Sequence, residues 1–295
     1  MYETTIETLS HGPWTMAIAP AVGGRIFSLA HDGRDGHRDI LRPVPSDEPI
    51  AAAIRNAGCY PLVPFSNRIE NGRFQADGRT VALLAHPLAA PHAIHGNGWL
   101  ATWTLLDRND HSATLQFAHD GSDWPWPFEA QQQFALDDDG LTISLSVTPT
   151  GPEPMPCGLG FHPYFPRLPG TRLETLATQH WILRPDCIPV GSEIPQGKFA
   201  FAGGPVLSTG LDDGYSGWNR EALLHYDDYS VRLTASAALD KLVVYSPDAF
   251  PLVCVEPVSH VTNAVNLSGA AQAEAGWRVL APGQSCQAWM HIALV

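Results

Sequence analysis

Apolar and polar positions alternate along most of the chain, and many of the apolar residues are β-branched. This period of two is typical of strands that bury one face of a sheet. Turn signals such as Asp-Gly, Asn-Asp and Pro-Gly separate the runs, which predicts successive antiparallel hairpins. The predicted strand pairs are 72–84 (turn at 77–78), 101–117 (turn at 109–110), 128–147 (turn at 139–140) and 277–280 with 286–294 (turn at 282–283), and further strands are predicted in 222–235, 241–245 and 250–255.

Residues 46–57 are the one segment that reads as a short helix. Ser46 or Asp47 can cap it, Pro49 lies in its first turn, and Gly58 follows its end. No linker, short repeat or change of composition divides the chain. The sequence therefore predicts an all-β fold, a large antiparallel β-sandwich with few short helices, in which residues 1–295 form a single domain.

The chain is strongly acidic, since 17 Lys and Arg residues against 30 Asp and Glu residues give a net charge of −13. Such a field repels nucleic acid and anionic lipid, so we expect neither as a partner. Residues 1–14 lack the regions of a signal peptide, and no stretch approaches the roughly 20 apolar residues that span a bilayer. We expect a cytoplasmic protein that is a monomer or a homodimer.

The five cysteines are scattered and never occur in C-x-x-C spacing. This pattern predicts neither a disulfide framework nor a zinc cluster. We interpret them as small buried apolar residues, namely Cys59, Cys157, Cys187, Cys254 and Cys286.

A glutamate follows the most apolar run of the chain. Residues 250–255 look like a strand buried on both faces, and Glu256 comes next, before Pro257, which we expect to end the strand. By alternation Glu256 shares a face with Cys254 and Leu252, so its charge must meet a partner or open onto a cavity. The alternative is a glutamate that reaches solvent at the strand end.

Two glycines precede His162 on the same predicted strand face. Alternation places Gly158 and Gly160 on the side of His162, while Leu159 and Phe161 point to the other side. Glycine inside a strand often marks the close approach of a ligand or of another backbone, so the pattern predicts a hollow beside the imidazole. A structural histidine with satisfied hydrogen bonds is the alternative.

Residues 60–73 read as a rigid, proline-punctuated loop that ends in amides and charges, among them Asn67 and Arg68. Arg68 presents a fork of donors suited to sugar hydroxyls and to a carboxylate, and a surface salt bridge is the alternative. His92 and His95 have a spacing at which a helix could bring them to one metal. Glycines around them argue against a helix and no third ligand is near in sequence, so we expect a polar, sugar-contacting loop without a metal.

Two further segments each allow two interpretations. Asp212 and Asp213 precede Gly214 in a strong turn signal, so they either contribute to a site or belong to a solvated turn. Trp124 and Trp126 alternate with prolines, and their rings either stack on a sugar or pack over a sheet edge.

Taken in order, these segments resemble the motifs of the aldose 1-epimerase family, also called galactose mutarotase-like proteins. Each motif is weak alone, but five in register over nearly the whole chain are specific. The resemblance implies a β-supersandwich that interconverts the α and β anomers of an aldose without a metal or a cofactor. It implies Glu256 as base and His162 as acid, with Arg68, His95, Asp212 and Asn67 holding the sugar. The motifs are Asn67-Arg68-Ile69, His95-Gly96, His162 in His-Pro-Tyr-Phe, Asp212 in Leu-Asp-Asp-Gly-Tyr, and Glu256 in Val-Glu-Pro.

These roles set an expectation for the protonation of the two catalytic candidates. A carboxylate close to His162, from Asp212 or Glu256, favours the imidazolium. Partial burial raises the pKa of Glu256 toward neutral pH.

Phe161 departs from the family pattern, because many galactose mutarotases have Asn immediately before the catalytic histidine. The departure puts galactose in doubt as the substrate. Arg55, Arg73 and Arg167 lie near the matched segments, so a hexose 6-phosphate is an alternative substrate, although the acidic net charge weighs against it. A non-catalytic carbohydrate-binding β-sandwich is the alternative from another class, since a fold by itself fixes no activity.

Overall fold

The computed structural model describes residues 5–45 and 57–295. The helix predicted over residues 46–57 therefore lies, apart from its last residue, outside the described residues. Within these ranges, eleven strands form the larger of two large antiparallel sheets. The strands are β1 (Glu7–His11), β2 (Trp14–Ala19), β3 (Arg25–Gly33), β4 (Gly36–Leu41), β5 (Cys59–Leu62), β15 (Gly160–Pro166), β17 (Gln179–Leu183), β18 (Pro189–Glu193), β19 (Leu211–Ser216), β22 (Lys241–Ser246) and β23 (Leu252–Val258). Their order in the sheet is β1-β2-β3-β5-β15-β23-β22-β19-β17-β18, with β4 paired to β3.

The second large sheet has eight strands among the described residues, in the order β10-β11-β12-β13-β25-β21-β20-β16. In the same part of the chain, three further strand pairs form separate small sheets, β6 with β9, β7 with β8, and β14 with β24. The strands of the second sheet are β10 (Thr104–Arg108), β11 (Ser112–His119), β12 (Phe128–Leu136), β13 (Gly140–Pro149), β16 (Arg172–Thr175), β20 (Glu221–His225), β21 (Ser230–Ala235) and β25 (Cys286–Leu294). Those of the small sheets are β6 (Arg68–Ile69), β7 (Arg73–Ala76), β8 (Arg79–Ala82), β9 (Ala93–Ile94), β14 (Met155–Cys157) and β24 (Arg278–Leu280).

In the described residues, helical structure is short and lies between strands. The α-helix α1 (Gly269–Glu274) is not predicted from the sequence, because six residues are too few to show a helical period. No helix in the described ranges is long and apolar enough to cross a membrane. The 3-10 helices are Glu70–Gly72, Gly98–Leu100, Gly197–Phe199 and Ala264–Asn266.

Both large sheets contribute to one hydrophobic core. Phe128, Leu145 and Ile292 enter it from the eight-stranded sheet, and Phe161 and Val255 enter it from the larger sheet. Each of these side chains is at most 1% exposed. The predicted antiparallel β-sandwich is thereby confirmed. That the chain is a single domain stays a prediction, with which a core shared by the two sheets agrees.

Three of the predicted hairpins are confirmed, those turned at residues 77–78, 109–110 and 139–140. Asp77 and Gly78 have φ angles of 50° and 73°, the left-handed conformation that a two-residue hairpin turn favours. The last predicted pair is wrong, because β24 pairs with β14 while β25 lies between β13 and β21. Both edges of β25 are already hydrogen-bonded, so β24 finds no edge there.

The middle of the larger sheet carries a second apolar cluster on the face turned away from the main core. It draws on strands β5, β15, β22 and β23. The polar residues singled out from the sequence lie around this cluster, whose buried members are Tyr60, Leu62, Trp99, Tyr164, Val243, Leu252, Cys254 and Val258.

Candidate active site

The pairing of β15 with β23 places His162 and Glu256 opposite each other. Tyr164 pairs with Cys254, and stepping two residues along each strand from this pair reaches His162 and Glu256. Residues opposite each other on antiparallel strands have Cβ atoms about 4.5–5.5 Å apart, close enough for side chains of this length to meet. The Nε2 atom of His162 lies 3.3 Å from Oε1 of Glu256.

Alternation along the two strands follows the prediction. Leu159 and Phe161 lie in the main core, whereas Leu252 and Cys254 lie in the second cluster, on the side of Glu256. Glu256 does not reach solvent, since it is only 2% exposed. The alternative of a solvated glutamate at the strand end is therefore wrong.

Pro257 does not end the strand, and the prediction that it would do so is wrong. β23 runs on to Val258, and Pro257 keeps its place in the register opposite Leu242 of β22. A proline removes one N–H donor but keeps its carbonyl acceptor, so pairing continues on either side of it. Glu256 consequently sits inside a strand, which holds its backbone in place.

The glycines near His162 do not leave a hollow, contrary to the prediction. A Cβ atom on Gly158 would overlap the imidazole of His260, and a Cβ atom on Gly160 would lie 2.8 Å from Cγ1 of Val258. Neighbouring side chains fill the space that the missing Cβ atoms leave. The glycines therefore permit close packing below the site and do not form its cavity.

Aromatic rings surround the imidazole of His162. Tyr164 stacks on it with centroids 4.6 Å apart and 13° between the planes, Tyr60 approaches to 4.6 Å, and His95 meets it edge-on at 5.3 Å. The hydroxyl oxygens of Tyr60 and Tyr164 are 3.1 Å apart. Alternation alone could have found Tyr164, two residues after His162. Tyr60 is identified only by the register, in which it pairs with His162.

Burial opposes charge on both members of the pair. It lowers the pKa of His162 well below the usual histidine range. It raises the pKa of Glu256 well above the usual range, and Asp212 adds to this effect while Arg68 opposes it. The expected rise for Glu256 is confirmed. The expected imidazolium is wrong, because burial, with smaller effects of His95 and Arg25, lowers the pKa of His162.

His95 and Asn67 are joined by two hydrogen bonds. The backbone N–H of Asn67 donates to Nδ1 of His95 over 3.1 Å, and the backbone N–H of His95 donates to the carbonyl oxygen of Asn67 over 3.0 Å. Because Nδ1 accepts, the neutral ring carries its proton on Nε2. Burial, with Arg68 and His86, lowers the pKa of His95 to about 3. The left-handed φ of His95, 63°, confirms a loop and not a helix.

Arg68 connects this loop to the sheet. Its Nη1 donates to Oδ1 of Asn67 and its Nη2 donates to Oδ2 of Asp212, each over 3.2 Å. Asp212 lies within β19 opposite Tyr245, which pairs in turn with Cys254, so the solvated-turn interpretation of Asp212 is wrong. The Arg68 and Asp212 side chains are 15% and 32% exposed and form the rim of the site.

β19 leaves open space next to Asp212. Gly214 lies two residues further along the same face and pairs with Val243, which pairs with Glu256. In the part of the chain that the structure describes, no atom lies within 4 Å of a Cβ atom built on Gly214. A small molecule that contacts both Glu256 and the rim therefore has room over this strand.

A chain of contacts between polar side chains holds the backbone of Asp212 in place. Its backbone N–H donates to Oδ2 of Asp213 over 3.1 Å, and Oδ1 of Asp213 lies 3.0 Å from Nε2 of His180. Nδ1 of His180 lies 3.3 Å from Oε1 of Glu193, and Phe199 stacks on the ring at 4.1 Å. His180 and Glu193 are not identifiable from the sequence, since they reach Asp213 only through the pairing of three strands.

The remaining candidates lie outside this group. Nδ1 of His92 accepts a hydrogen bond of 3.0 Å from the backbone of Asn71, and its Nε2 lies 3.6 Å from Asp186. Trp124 and Trp126 are 1% and 2% exposed and pack within the main core. Of their two interpretations, packing is the one confirmed.

Comparison with known proteins identifies the family. The family model described as Aldose 1-epimerase matches residues 6–293. The chain belongs to the aldose 1-epimerase family. It is 30% identical to the uncharacterized protein YphB of Escherichia coli K12 over 98% of each chain. It is also 30% identical to the aldose 1-epimerase of Escherichia coli K12, over 43% of this chain and 37% of that protein.

Solved structures in this family have the same fold. A crystal structure from Escherichia coli K12, described provisionally as an aldose 1-epimerase, is 30% identical, covers 99% of both chains and gives a TM-score of 0.87. A galactose mutarotase-like protein from Clostridium acetobutylicum also gives 0.87, at 20% identity over 99% of this chain and 98% of its own. The second likeness is one of fold alone.

Proposed function

We propose that the protein is an aldose 1-epimerase, which interconverts the α and β anomers of an aldose by opening and closing the ring. The observation that carries this proposal is the buried pair of His162 Nε2 and Glu256 Oε1, 3.3 Å apart. Ring opening requires that a proton leave the C1 hydroxyl while another reaches the ring oxygen, so an acid and a base must act together. Membership of the aldose 1-epimerase family supports the same activity.

The two side chains account for every proton that moves in this reaction. Glu256 takes the proton of the C1 hydroxyl and His162 gives a proton to the ring oxygen, while the bond from C1 to the ring oxygen breaks and a carbonyl forms at C1. After rotation about the C1–C2 bond, the freed hydroxyl attacks the other face of the aldehyde. His162 then recovers its proton and Glu256 returns one to the new C1 hydroxyl.

Burial favours the protonation state of the ring-opened stage. With the aldehyde formed, Glu256 carries a proton and His162 is neutral, which are the forms that burial favours in each residue. Before each turnover the shared proton has to move from Glu256 to His162, and Arg68 favours this ionised form because its charge lowers the pKa of Glu256. Because burial and the charge of Arg68 act in opposite directions, both the neutral and the ionised form of the pair stay accessible during the reaction.

We assign the rim to the sugar hydroxyls. Arg68 offers donors, Asp212 offers a carboxylate acceptor, and the neutral ring of His95 carries an N–H on Nε2. Asn67 belongs to the same rim, where its Oδ1 accepts from Arg68 over 3.2 Å. Polar groups of fixed direction around an otherwise apolar floor are typical of sites that orient a small polar ligand.

Of the arginines considered for a phosphate, Arg167 supports a free aldose instead. Arg167 donates from Nε and Nη2 to three backbone carbonyls within residues 247–252. Arg73 is exposed on β7, and Arg55 lies outside the described residues. A phosphate subsite requires donors directed at the ligand, and the geometry of Arg167 directs its donors at the backbone.

A carbohydrate-binding module without activity is the second candidate function. That function relies on exposed aromatic rings, for which Trp124 and Trp126 are the candidates. Both are buried within the main core. A binding module also has no use for a buried acid–base pair, so the two candidates differ in the expected consequence of changing Glu256.

Magnetization-exchange NMR tests the proposed function directly. We expect the purified protein to accelerate exchange between the α and β signals of at least one free hexose or pentose, and to leave hexose 6-phosphates at the rate of buffer alone. Acceleration of phosphates only would contradict the substrate class. Sugar binding without acceleration for any sugar would contradict the activity and favour a binding module.

His180→Asn should raise KM by about fivefold with kcat nearly unchanged. The substitution weakens the hold on Asp213 and hence on Asp212, which is equivalent to about one hydrogen bond of roughly 1 kcal/mol, but it leaves the acid–base pair in place. The measurement is the split of KM and kcat in anomer exchange. His225→Asn is the matched control, because His225 makes a similar contact to Glu174, 3.2 Å, on the other sheet. A fall in kcat with KM unchanged would show that His180 does not act through the rim.

A further inference from the structure

Cys254 stands next to the acid–base pair and has no part in the reaction proposed above. It shares a strand face with Glu256 two residues away and pairs across the strands with Tyr164, two residues from His162. One potential ligand atom from each of His162, Cys254 and Glu256 lies within 4.8 Å of the other two. In residues 5–45 and 57–295 this is the one group of three or more such side chains that meets this distance.

We propose that His162, Cys254 and Glu256 form a binding site for a thiophilic divalent cation such as Zn²⁺. Imidazole nitrogen, thiolate sulfur and carboxylate oxygen are the ligand types that zinc takes in proteins, and three protein ligands leave the fourth tetrahedral position to water. Bonds of about 2.0–2.3 Å place neighbouring ligand atoms about 3.3–3.8 Å apart. His162 and Glu256 already meet this spacing at 3.3 Å, so the approach of Cys254 needs to close by about 1 Å at most, through rotation about χ angles.

The charge balance of such a complex suits its burial. Residues Cys254, Glu256 and His162 are 0%, 2% and 6% exposed, and an unpaired ion at such a depth is costly. A divalent cation bound by one thiolate, one carboxylate and a neutral imidazole has a net charge of zero. Binding releases two protons to solvent, one from the thiol of Cys254 and one from the carboxyl group of Glu256.

Occupation of this site removes both proton carriers from the sugar. The cation bonds to the carboxylate that accepts the C1 proton and to the imidazole that donates to the ring oxygen. We therefore expect reversible inhibition by micromolar to millimolar zinc, depending on competition from sugar and buffer. This consequence rests on the proposed function, whereas cation binding itself does not.

Cobalt is the probe for the site, because Co²⁺ takes the same ligands and its bond to a thiolate gives a near-ultraviolet charge-transfer band. We expect the band in the wild-type protein titrated with Co²⁺, and we expect it to be lost in Cys254→Ser. Cys187→Ser is the matched control, since Cys187 lies at the rim with its Sγ 3.5 Å from Oδ2 of Asp212, outside the three-residue group. The band should survive in this control.

A second variant covers the case in which Cys254→Ser folds poorly. Glu256→Gln keeps the thiol but removes a charged ligand, so it should weaken cobalt binding by at least about tenfold, or 1.4 kcal/mol. Absence of the band from the wild-type protein, its persistence in Cys254→Ser, or unchanged cobalt affinity in Glu256→Gln would each overturn the proposed site.

The inhibition is measured separately by anomer exchange in the presence of Zn²⁺. We expect zinc to stop the catalysed exchange, a chelator to restore it, and Cys254→Ser to require at least about tenfold more zinc for half-inhibition. Full activity with the site saturated would overturn the inhibitory role. If no sugar shows exchange, the proposed function fails, and the cobalt band still decides whether the site exists.

Discussion

Glu256→Gln and His162→Asn should each slow catalysed anomer exchange by about 10²- to 10⁴-fold, which is the usual contribution of a positioned acid or base. Glutamine keeps the shape of the glutamate but cannot accept the C1 proton. Asparagine keeps a hydrogen-bonding group on β15 but cannot deliver a proton to the ring oxygen. The measurement is polarimetry, or exchange NMR, on freshly dissolved α-glucose and α-galactose.

The pair formed by His225 and Glu174 supplies matched controls for both substitutions. Nε2 of His225 lies 3.2 Å from Oε2 of Glu174, almost the separation found at the candidate site, but on the eight-stranded sheet. Glu174→Gln and His225→Asn should therefore leave the exchange rate close to that of the wild-type protein. Undiminished exchange in Glu256→Gln or in His162→Asn would remove that residue from the mechanism.

The pH dependence of kcat/KM is a second test of the pair formed by His162 and Glu256. The reaction needs one proton shared between the two side chains. Activity therefore falls at low pH, when the pair takes up a second proton on His162, and at high pH, when the pair loses its one proton from Glu256. Burial lowers the pKa of His162 and raises that of Glu256. The acid limb should therefore lie below the ordinary histidine value of about 6.5. An acid limb above that value would contradict the neutral imidazole.

Most of what could be predicted of the fold and the candidate site came from the alternation of apolar and polar positions along the strands. It placed Glu256 on the face of Cys254, and it sent Phe161 to the face opposite His162, because a period of two is fixed by the strand itself. Family resemblance then selected six polar residues, in five motifs, that the structure brings to one region. The sequence gives no physical reason for these residues to meet, because they lie far apart along the chain. They come together only because strands that are distant in sequence are neighbours in the sheet.

Beyond the three confirmed hairpins, the pairing of strands and the packing of side chains between them could not be predicted from the sequence. The terminal hairpin was expected because a turn signal separates its strands, but β25 is taken on both edges by β13 and β21. Gly158 was expected to face a hollow, and the imidazole of His260, about a hundred residues later, fills that space. His180 could not be identified for the same reason, because its contacts with Glu193 and Asp213 depend on strands that follow it in the sequence. Protonation also depends on burial, which only the assembled sheet determines.

Phe161→Asn is the substitution that restores the residue many galactose mutarotases have before the catalytic histidine, and it should lower the free energy of unfolding by about 3–5 kcal/mol. Phe161 is fully buried in the main core, so the change opens a cavity and places an amide among apolar side chains. Urea denaturation measures the loss. Phe161→Leu is the control, since it keeps an apolar side chain and should cost less.

The same variant separates packing from sugar choice. Because alternation along β15 directs residue 161 away from the face that carries His162, the new amide has no direct route to a sugar hydroxyl. The ratio of galactose to glucose exchange in the folded fraction of Phe161→Asn should therefore equal that of the wild-type protein. Wild-type stability, or a ratio shifted toward galactose, would place residue 161 in the site and not in the core. Sugar preference is then expected to depend on the residues of the rim, Arg68, His95 and Asp212, and on the open space over Gly214.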